Sequence, residues 1–173
     1  MRKMTVCAAV AATLLSGSVL AEGLHGKRYG GIAIGFVEVE GDSEDANVNT
    51  LEGRFGGYMN ENLGFELRAA VGVADDTING ADVDLRYAIG GYVRLGAPIE
   101  EKYFPYVNLG FTRVDVETSA GGIDTTEAES DLSYGAGIDI DLNGLGVFIE
   151  YNQYAEINDA DVSGFVLGLK SSF

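Results

Sequence analysis

The last ten residues, GFVLGLKSSF (164–173), decide the fold. Phe165, Leu167, Leu169 and Phe173 fall on one side of an extended chain, whereas the residues between them are mostly small or polar. A strand with these two faces can contact lipid on one side and a polar lumen on the other. The segment therefore predicts the closing strand of a β-barrel in a membrane.

The same alternation recurs through the chain from residue 29 onward. It divides the sequence into eight segments of about ten residues, the length that a tilted membrane strand needs. The connections alternate between short turns and longer loops, as periplasmic turns and extracellular loops do, so both termini are expected on the periplasmic side. We predict an all-β fold, an eight-stranded antiparallel up-and-down transmembrane β-barrel. The predicted segments are 29–39, 50–60, 63–74, 82–95, 103–116, 131–142, 145–154 and 162–173.

Four segments carry the most specific expectations. In the fourth, Leu85 falls on the apolar face and Arg86 on the polar face. In the sixth and seventh, a two-residue type I′ turn at Asn143-Gly144 would pair apolar residues with apolar residues, namely 142 with 145, 140 with 147 and 138 with 149. In the fifth, the alternation fails at Arg113 and Asp115, which indicates either a β-bulge or a strand that has left the bilayer.

The start of the chain has the pattern of a secretory signal peptide. Arg2 and Lys3 precede a mostly apolar run up to Leu20, and small or apolar residues precede the expected cleavage site after Ala21. We expect residues 1–21 to be removed and residues 22–173 to form one barrel domain. The single cysteine lies in the signal peptide, so no disulfide is expected in the mature domain.

The net charge of the chain limits the classes of molecule that it could bind. The chain has 27 acidic and 11 basic residues and a formal net charge of −16, which argues against binding to nucleic acid. Much of the acidity lies in the predicted loops, where it would either keep the surface solvated or hold divalent cations shared with lipopolysaccharide phosphates.

Alternation alone does not show which face lies inside the barrel. A soluble lipocalin-type barrel alternates in the same way, but its apolar face points inward and its polar face points to solvent. Here the polar face combines Gly and Ala with single charges of both signs, as expected of a narrow, crowded lumen. The reversed arrangement would put Arg54, Arg68 and Arg86 into lipid, at about 2–4 kcal/mol for each arginine at the midplane. A domain with a stability of about 5–15 kcal/mol would not carry that cost.

The polar face therefore predicts a lumen filled by charged side chains. Either they interleave as a network of salt bridges and hydrogen bonds that plugs the barrel, or they are a solvated polar core with no role beyond stability. The proposed members are Glu52, Arg54, Glu66, Arg68, Arg86, Arg94, Asp139, Glu150 and Lys170, with Asp82 and Asp84 as further acids.

The chain resembles the small eight-stranded outer-membrane proteins of the OmpA/OmpX type, the porin-like outer-membrane β-barrel domain family. The resemblance rests on YGGIAIGF (29–36), FPYVNLG (104–110) and the aromatic C-terminus, and it extends over essentially the whole mature chain. It implies the outer membrane of a Gram-negative bacterium and contact with outer-membrane lipids and lipopolysaccharide. It also implies a monomer, and recognition of Phe165, Leu167, Leu169 and Phe173 by the outer-membrane assembly machinery.

Two departures from the family pattern stand out. Ser171 occupies the place, two before the end, where the assembly signal favours an apolar residue. The chain also lacks Trp, so the aromatic girdles at the membrane interfaces must be built from other residues. The candidates are Tyr103, Tyr106, Phe111, Tyr134, Tyr151 and Phe173.

Catalysis is not expected. The small outer-membrane enzymes need a histidine base near the extracellular rim, whereas the one histidine here, His25, precedes the first strand. We predict no catalytic residues, no cofactor and no metal site, since zinc would need further ligands. The expected function is a structural or surface-exposed barrel. The alternatives are an adhesin or host-interaction protein acting through its loops and, less favoured by the crowded lumen, a narrow channel for small solutes.

Overall fold

The computed structural model describes residues 27–40, 45–74, 76–78, 81–100, 102–120, 123–157 and 160–173. The predicted signal peptide and His25 lie outside these residues, so the predictions about them stay predictions. The regular structure consists of strands, whose bounds are β1 (Arg28–Glu40), β2 (Asp45–Tyr58), β3 (Leu63–Ala74), β4 (Asp76–Ile78), β5 (Ala81–Gly96), β6 (Tyr103–Ala120), β7 (Ile123–Leu142), β8 (Leu145–Ile157) and β9 (Ala160–Ser172). No helix in the described part of the chain is long and apolar enough to cross a membrane.

The long strands close into an antiparallel barrel. Each long strand pairs with the next long strand in the sequence, so that β3 pairs with β5, and β1 pairs with β9. The three-residue β4 pairs with the first three residues of β5. The predicted eight-stranded up-and-down barrel is therefore confirmed.

The two faces of the wall have the predicted polarity. In β1, Ile32, Ile34 and Phe36 are exposed on the outside, whereas Tyr29 and Ala33 are buried inside. Phe165, Leu167, Leu169 and Phe173 are also exposed on the outer face, with Phe173 60% exposed. Such exposure of large apolar side chains is stable only where the outer face contacts lipid.

The turn between β7 and β8 has the predicted register. Leu142 pairs with Leu145, and the pairs 140–147 and 138–149 follow. Asn143 and Gly144 both adopt positive φ, 59° and 96°, as a type I′ turn requires. The Asp141 carboxylate accepts a 2.7 Å hydrogen bond from the backbone N–H of Gly144.

Several strands are longer than the alternation predicts. β7 begins at Ile123 instead of residue 131, β2 begins at Asp45 instead of residue 50, and β6 continues to Ala120. These extensions continue the pairing of β2 with β1 and of β6 with β7 beyond the stretch in which the sequence alternates. The long predicted loops are correspondingly short.

A register shift in β5 overturns the prediction for the fourth segment. Leu85 pairs with Val116 but Tyr87 pairs with Asp115, so Arg86 is an extra residue in the strand. This β-bulge reverses the facing of the residues before it. Leu85 consequently lines the lumen, and Arg86 leaves it with its side chain 48% exposed.

The failed alternation in β6 has a simple cause. β6 keeps regular pairing with β7 past Arg113 and Asp115. Its outward apolar residues end at Phe111, and the outward position that follows is the exposed Arg113. The strand therefore extends beyond the apolar band, which is the second of the two explanations that the sequence left open.

Candidate functional site: the charged lumen

Glu150 is the centre of a buried ionic network inside the barrel. Its carboxylate accepts hydrogen bonds from both terminal nitrogens of Arg54, at 3.2 and 3.0 Å, and from both of Arg68, at 2.5 and 3.0 Å. Tyr106 Oη donates a further 2.7 Å bond and Asn152 Nδ2 one of 2.5 Å. β2, β3, β6 and β8 thus meet at one carboxylate.

Glu66 is the second acidic centre. It lies between Arg68, whose Nε is 2.6 Å from Oε1, and Arg94, whose Nη1 is 3.2 Å from Oε2. Tyr29 Oη donates a 2.6 Å hydrogen bond to Glu66 and accepts one of 2.8 Å from Arg94. Arg54 is also within 3.6 Å of this carboxylate, which links the two centres.

Two further acids complete the ionic network. Glu52 accepts from Arg54 Nε on the same strand. Asp139 accepts from Arg94 Nη2 at 2.9 Å and from Lys170 Nζ, and Tyr58 Oη lies 3.3 Å from it. Asp139 and Lys170 lie towards the barrel end that carries the chain termini.

Aromatic rings cover the arginine faces. The guanidinium carbon lies 4.3 Å from the ring centre of Phe148 for Arg54, 4.0 Å from that of Tyr92 for Arg68, and 3.6 Å from that of Tyr106 for Arg94. Planar stacking of this kind stabilises a guanidinium that has lost water. It also fills the space that the small inward residues leave.

The structure brings eight of the nine predicted lumen residues together and excludes the ninth. Four cations, Arg54, Arg68, Arg94 and Lys170, contact four acids, Glu52, Glu66, Asp139 and Glu150. Arg86 is not a member, because the β5 bulge turns it outward. It lies 3.4 Å from Asp115 and from Glu117 instead. The side chains of Asp82 and Asp84 lie outside the described residues.

Sequence reasoning missed the uncharged members of the network. Tyr106 was assigned to an aromatic girdle, but it is 4% exposed and faces the lumen. The predicted network of charged residues did not include Tyr29, Tyr92 and Asn152. Their position within the alternation carried the signal, because Tyr106 has the same parity as Asn108 and Thr112, both buried in the lumen.

The network is balanced in charge, and most of its buried polar atoms are hydrogen-bonded. Four positive charges balance four negative ones, and almost every polar side-chain atom has a partner. In the described residues, the buried side-chain atoms without one are Arg94 Nε, Asn108 Oδ1 and Asp139 Oδ1. Over the same residues, no cluster of three or more His, Cys, Asp or Glu side chains is arranged to hold a metal ion.

The sequence comparison agrees with this architecture. The profile of the outer membrane protein beta-barrel domain matches residues 7–173. The chain belongs to that family. The family resemblance and the outer-membrane location are thereby confirmed. The comparison with curated proteins returned no match.

Solved structures of similar shape include several bacterial surface and outer-membrane barrels. Ail of Yersinia pestis, in complex with the heparin analogue sucrose octasulfate, superimposes with a TM-score of 0.68 at 18% identity, covering 86% of this chain and 99% of Ail. Neisserial surface protein A superimposes with a TM-score of 0.68 at 14% identity, covering 84% of this chain and 97% of that protein. The N-terminal barrel domain of Pseudomonas aeruginosa OprF superimposes with a TM-score of 0.55 at 11% identity, covering 83% of this chain and 97% of that domain. At these identities the likeness shows the fold alone.

Proposed function

We propose that this protein is a non-enzymatic barrel with a structural or surface role in the outer membrane, and that its charged lumen is a plug and not a pore. The observation that carries the proposal is the environment of Glu150. This carboxylate receives two arginines, a tyrosine and an asparagine from three other strands and its own. A side chain held from so many sides ties the lumen walls together.

Barrel width supports the same proposal. An eight-stranded barrel is only wide enough to be filled by its own side chains. The four-to-four balance of charge leaves no excess of one sign to attract ions of the other, whereas ion-selective pores use rings of like charge. Moving an ion through the lumen would require separating Arg68 or Arg54 from Glu150, which leaves charges uncompensated.

Single-channel conductance of the refolded protein in a planar bilayer tests the plug. We expect no conductance steps from the wild type. The double variant Glu66→Gln/Glu150→Gln removes both acidic centres, and we expect it to leak or to unfold at a lower denaturant concentration. Glu61→Gln, in an exposed turn, is the matched control. Reproducible steps from the wild type would refute the plug.

Orientation and partners complete the proposal. We propose that both termini face the periplasm, that the exposed Phe165, Leu167, Leu169 and Phe173 are read by the assembly machinery, and that the monomer contacts lipopolysaccharide and other outer-membrane lipids. An epitope tag placed just after residue 21 should be inaccessible on intact cells and accessible after the outer membrane is permeabilised. Accessibility on intact cells would reverse the orientation.

Host interaction through the loops is the second candidate function. The similarity in fold to Ail and to Neisserial surface protein A favours it, since the first was crystallised with a heparin analogue and the second is a surface protein. The net charge of −16 argues against a sulfated sugar as the ligand here. A strain expressing this protein should then adhere to host cells without retention of the purified protein on heparin. Unchanged adhesion relative to an empty-vector strain would exclude this candidate.

A further inference from the structure

A cavity of about 120 Å³ lies in the lumen on the far side of the network from the chain termini. Its floor is formed by network residues and their neighbours, Glu52, Arg68, Tyr92 and Thr112. Above the floor the walls are almost entirely apolar. The wall residues include Val37, Val39, Val48, Ala70, Leu85, Val114, Val116 and Val162. The lumen is therefore divided into an ionic half and an apolar half.

The polar groups of the floor are already engaged. Glu52 accepts from Arg54, and both terminal nitrogens of Arg68 are bonded to Glu150. Tyr92 Oη and Thr112 Oγ1 are hydrogen-bonded to each other at 2.5 Å. A charged ligand would find no free counter-charge among these side chains and would lose its hydration.

A water molecule would also find few hydrogen-bond partners in this cavity. A buried water normally makes about three hydrogen bonds to polar groups, whereas apolar cavities stay dry. An apolar cavity of about 150 Å³ in another protein is known to hold benzene or xenon. The size and the lining here suit a ligand of that class.

The barrel wall beside the cavity is incompletely paired. β3 and β5 pair from Leu63–Leu95 as far as Ala70–Ala88, and among the described residues of the two strands no pair follows. Just beyond lies the bulge at Arg86. Ala70, Leu85 and Ala88 line the cavity at this place. Among the described residues, the wall beside the cavity therefore lacks the β3–β5 ladder that closes it elsewhere, and β4 pairs with residues 81–83 of β5 instead.

We propose that the apolar half of the lumen binds a small uncharged apolar molecule, such as a single aromatic ring or a short hydrocarbon chain. The ionic network forms the floor of this site and prevents passage through the lumen. Binding and the plug are separable properties, because the first depends on the valine walls and the second on Glu66 and Glu150.

Toluene is the probe for the test. The barrel, with labelled valine methyl groups, is refolded into lipid nanodiscs and titrated with toluene by NMR. We expect the methyl signals of Val48, Val114 and Val162 to shift and saturate. The outward valine Val107, which is 55% exposed to lipid, should change linearly and without saturation.

A matched pair of variants on β3 assigns the effect to the cavity. Ala70 is buried and lines the cavity, whereas its neighbour Ala69 is on the outer face. Ala70→Phe fills the cavity and should weaken toluene binding by about tenfold or more. Ala69→Phe adds the same ring to the lipid side and should leave the affinity unchanged. Val114→Leu serves as a smaller filling substitution if Ala70→Phe does not fold, and it should also weaken binding.

Three results would overturn the proposal. The first is the absence of saturable shifts at the cavity valines. The second is equal weakening by the inward and outward phenylalanines. The third is nuclear Overhauser contact between the cavity valines and lipid acyl chains before toluene is added, because the site would then be occupied by lipid.

Discussion

Arg68 and Glu150, 82 residues apart in sequence, form a two-point ion pair in the centre of the barrel. Arg68 Nη1 is 2.5 Å from Oε1 and Nη2 is 3.0 Å from Oε2, and neither side chain contacts solvent appreciably. A bidentate arginine–carboxylate pair fixes direction as well as distance. It therefore fixes how β3 and β8, which are not neighbours in the sheet, face each other across the lumen.

Removing the central charge should destabilise the barrel strongly. Glu150→Gln leaves two buried arginines with one acceptor oxygen instead of a carboxylate, and breaking a buried ion pair costs about 3–5 kcal/mol. The free energy of unfolding in urea, measured in lipid vesicles, checks this. The exposed Glu61→Gln should change it by less than about 0.5 kcal/mol. Equal values for the two variants would mean that Glu150 does not stabilise the network.

Arg86 and Arg68 should behave differently, although the alternation placed them on the same face. Arg68 is buried between Glu66 and Glu150, so Arg68→Gln should lower the free energy of unfolding by about 3–5 kcal/mol. Arg86 is half-exposed and 3.4 Å from its acids, and such pairs contribute about 0–1 kcal/mol. A loss at Arg86→Gln as large as that at Arg68→Gln would place Arg86 back in the lumen.

The hydroxyl of Tyr106 should stabilise the fold by the free energy of one buried hydrogen bond to a charged group. Tyr106→Phe removes the 2.7 Å bond to Glu150 but keeps the ring on Arg94, so we expect a loss of about 1.5–3 kcal/mol. Tyr134→Phe, on the lipid-facing side and 55% exposed, is the control and should be nearly silent. The comparison is made by urea unfolding of both refolded variants. A neutral Tyr106→Phe would show that the Glu150 carboxylate does not need this donor.

Two glycines test how tightly the lumen is filled. A Cβ at Gly137 would lie 2.6 Å from Tyr106 Oη and 2.7 Å from the carbonyl oxygen of Ile149, so Gly137→Ala must displace the tyrosine. We expect a loss of about 1–3 kcal/mol, as for other overpacked interiors. At the outward Gly91 the nearest atom, of Leu67, is 3.7 Å away, and Gly91→Ala should be tolerated. The measurement is the melting temperature of each variant in the same vesicles. Equal melting temperatures would indicate a loosely filled lumen.

Much of the fold was readable from local pattern. The period-2 alternation located the strands and their lipid-facing sides, because successive side chains of a strand point to opposite faces whatever the strand pairs with. Asn143-Gly144 fixed the register of its hairpin for a similarly local reason, since a type I′ turn allows only one pairing of the residues beside it. The membership of the lumen also followed, apart from Arg86 and the tyrosines.

Three features were beyond the reach of the pattern. The bulge at Arg86 changes which residues face the lumen, but it leaves no mark in the sequence, because apolar residues continue at every second position across it, at 83, 85, 87 and 89. The strand ends were misjudged because alternation stops at the edge of the apolar band and pairing does not. The cavity depends on valines of β1, β2, β6 and β9 that look like ordinary strand residues.

The sequence by itself thus determined that this chain forms strands with one lipid-facing and one polar face, because burial and backbone geometry act on each segment separately. Only the tertiary structure decided which charges meet. Arg54, Arg68 and Glu150 come from β2, β3 and β8, and they come together because the closed sheet curves these strands around one narrow lumen. The tilt and stagger of all the strands together set that meeting point, and no single segment encodes them.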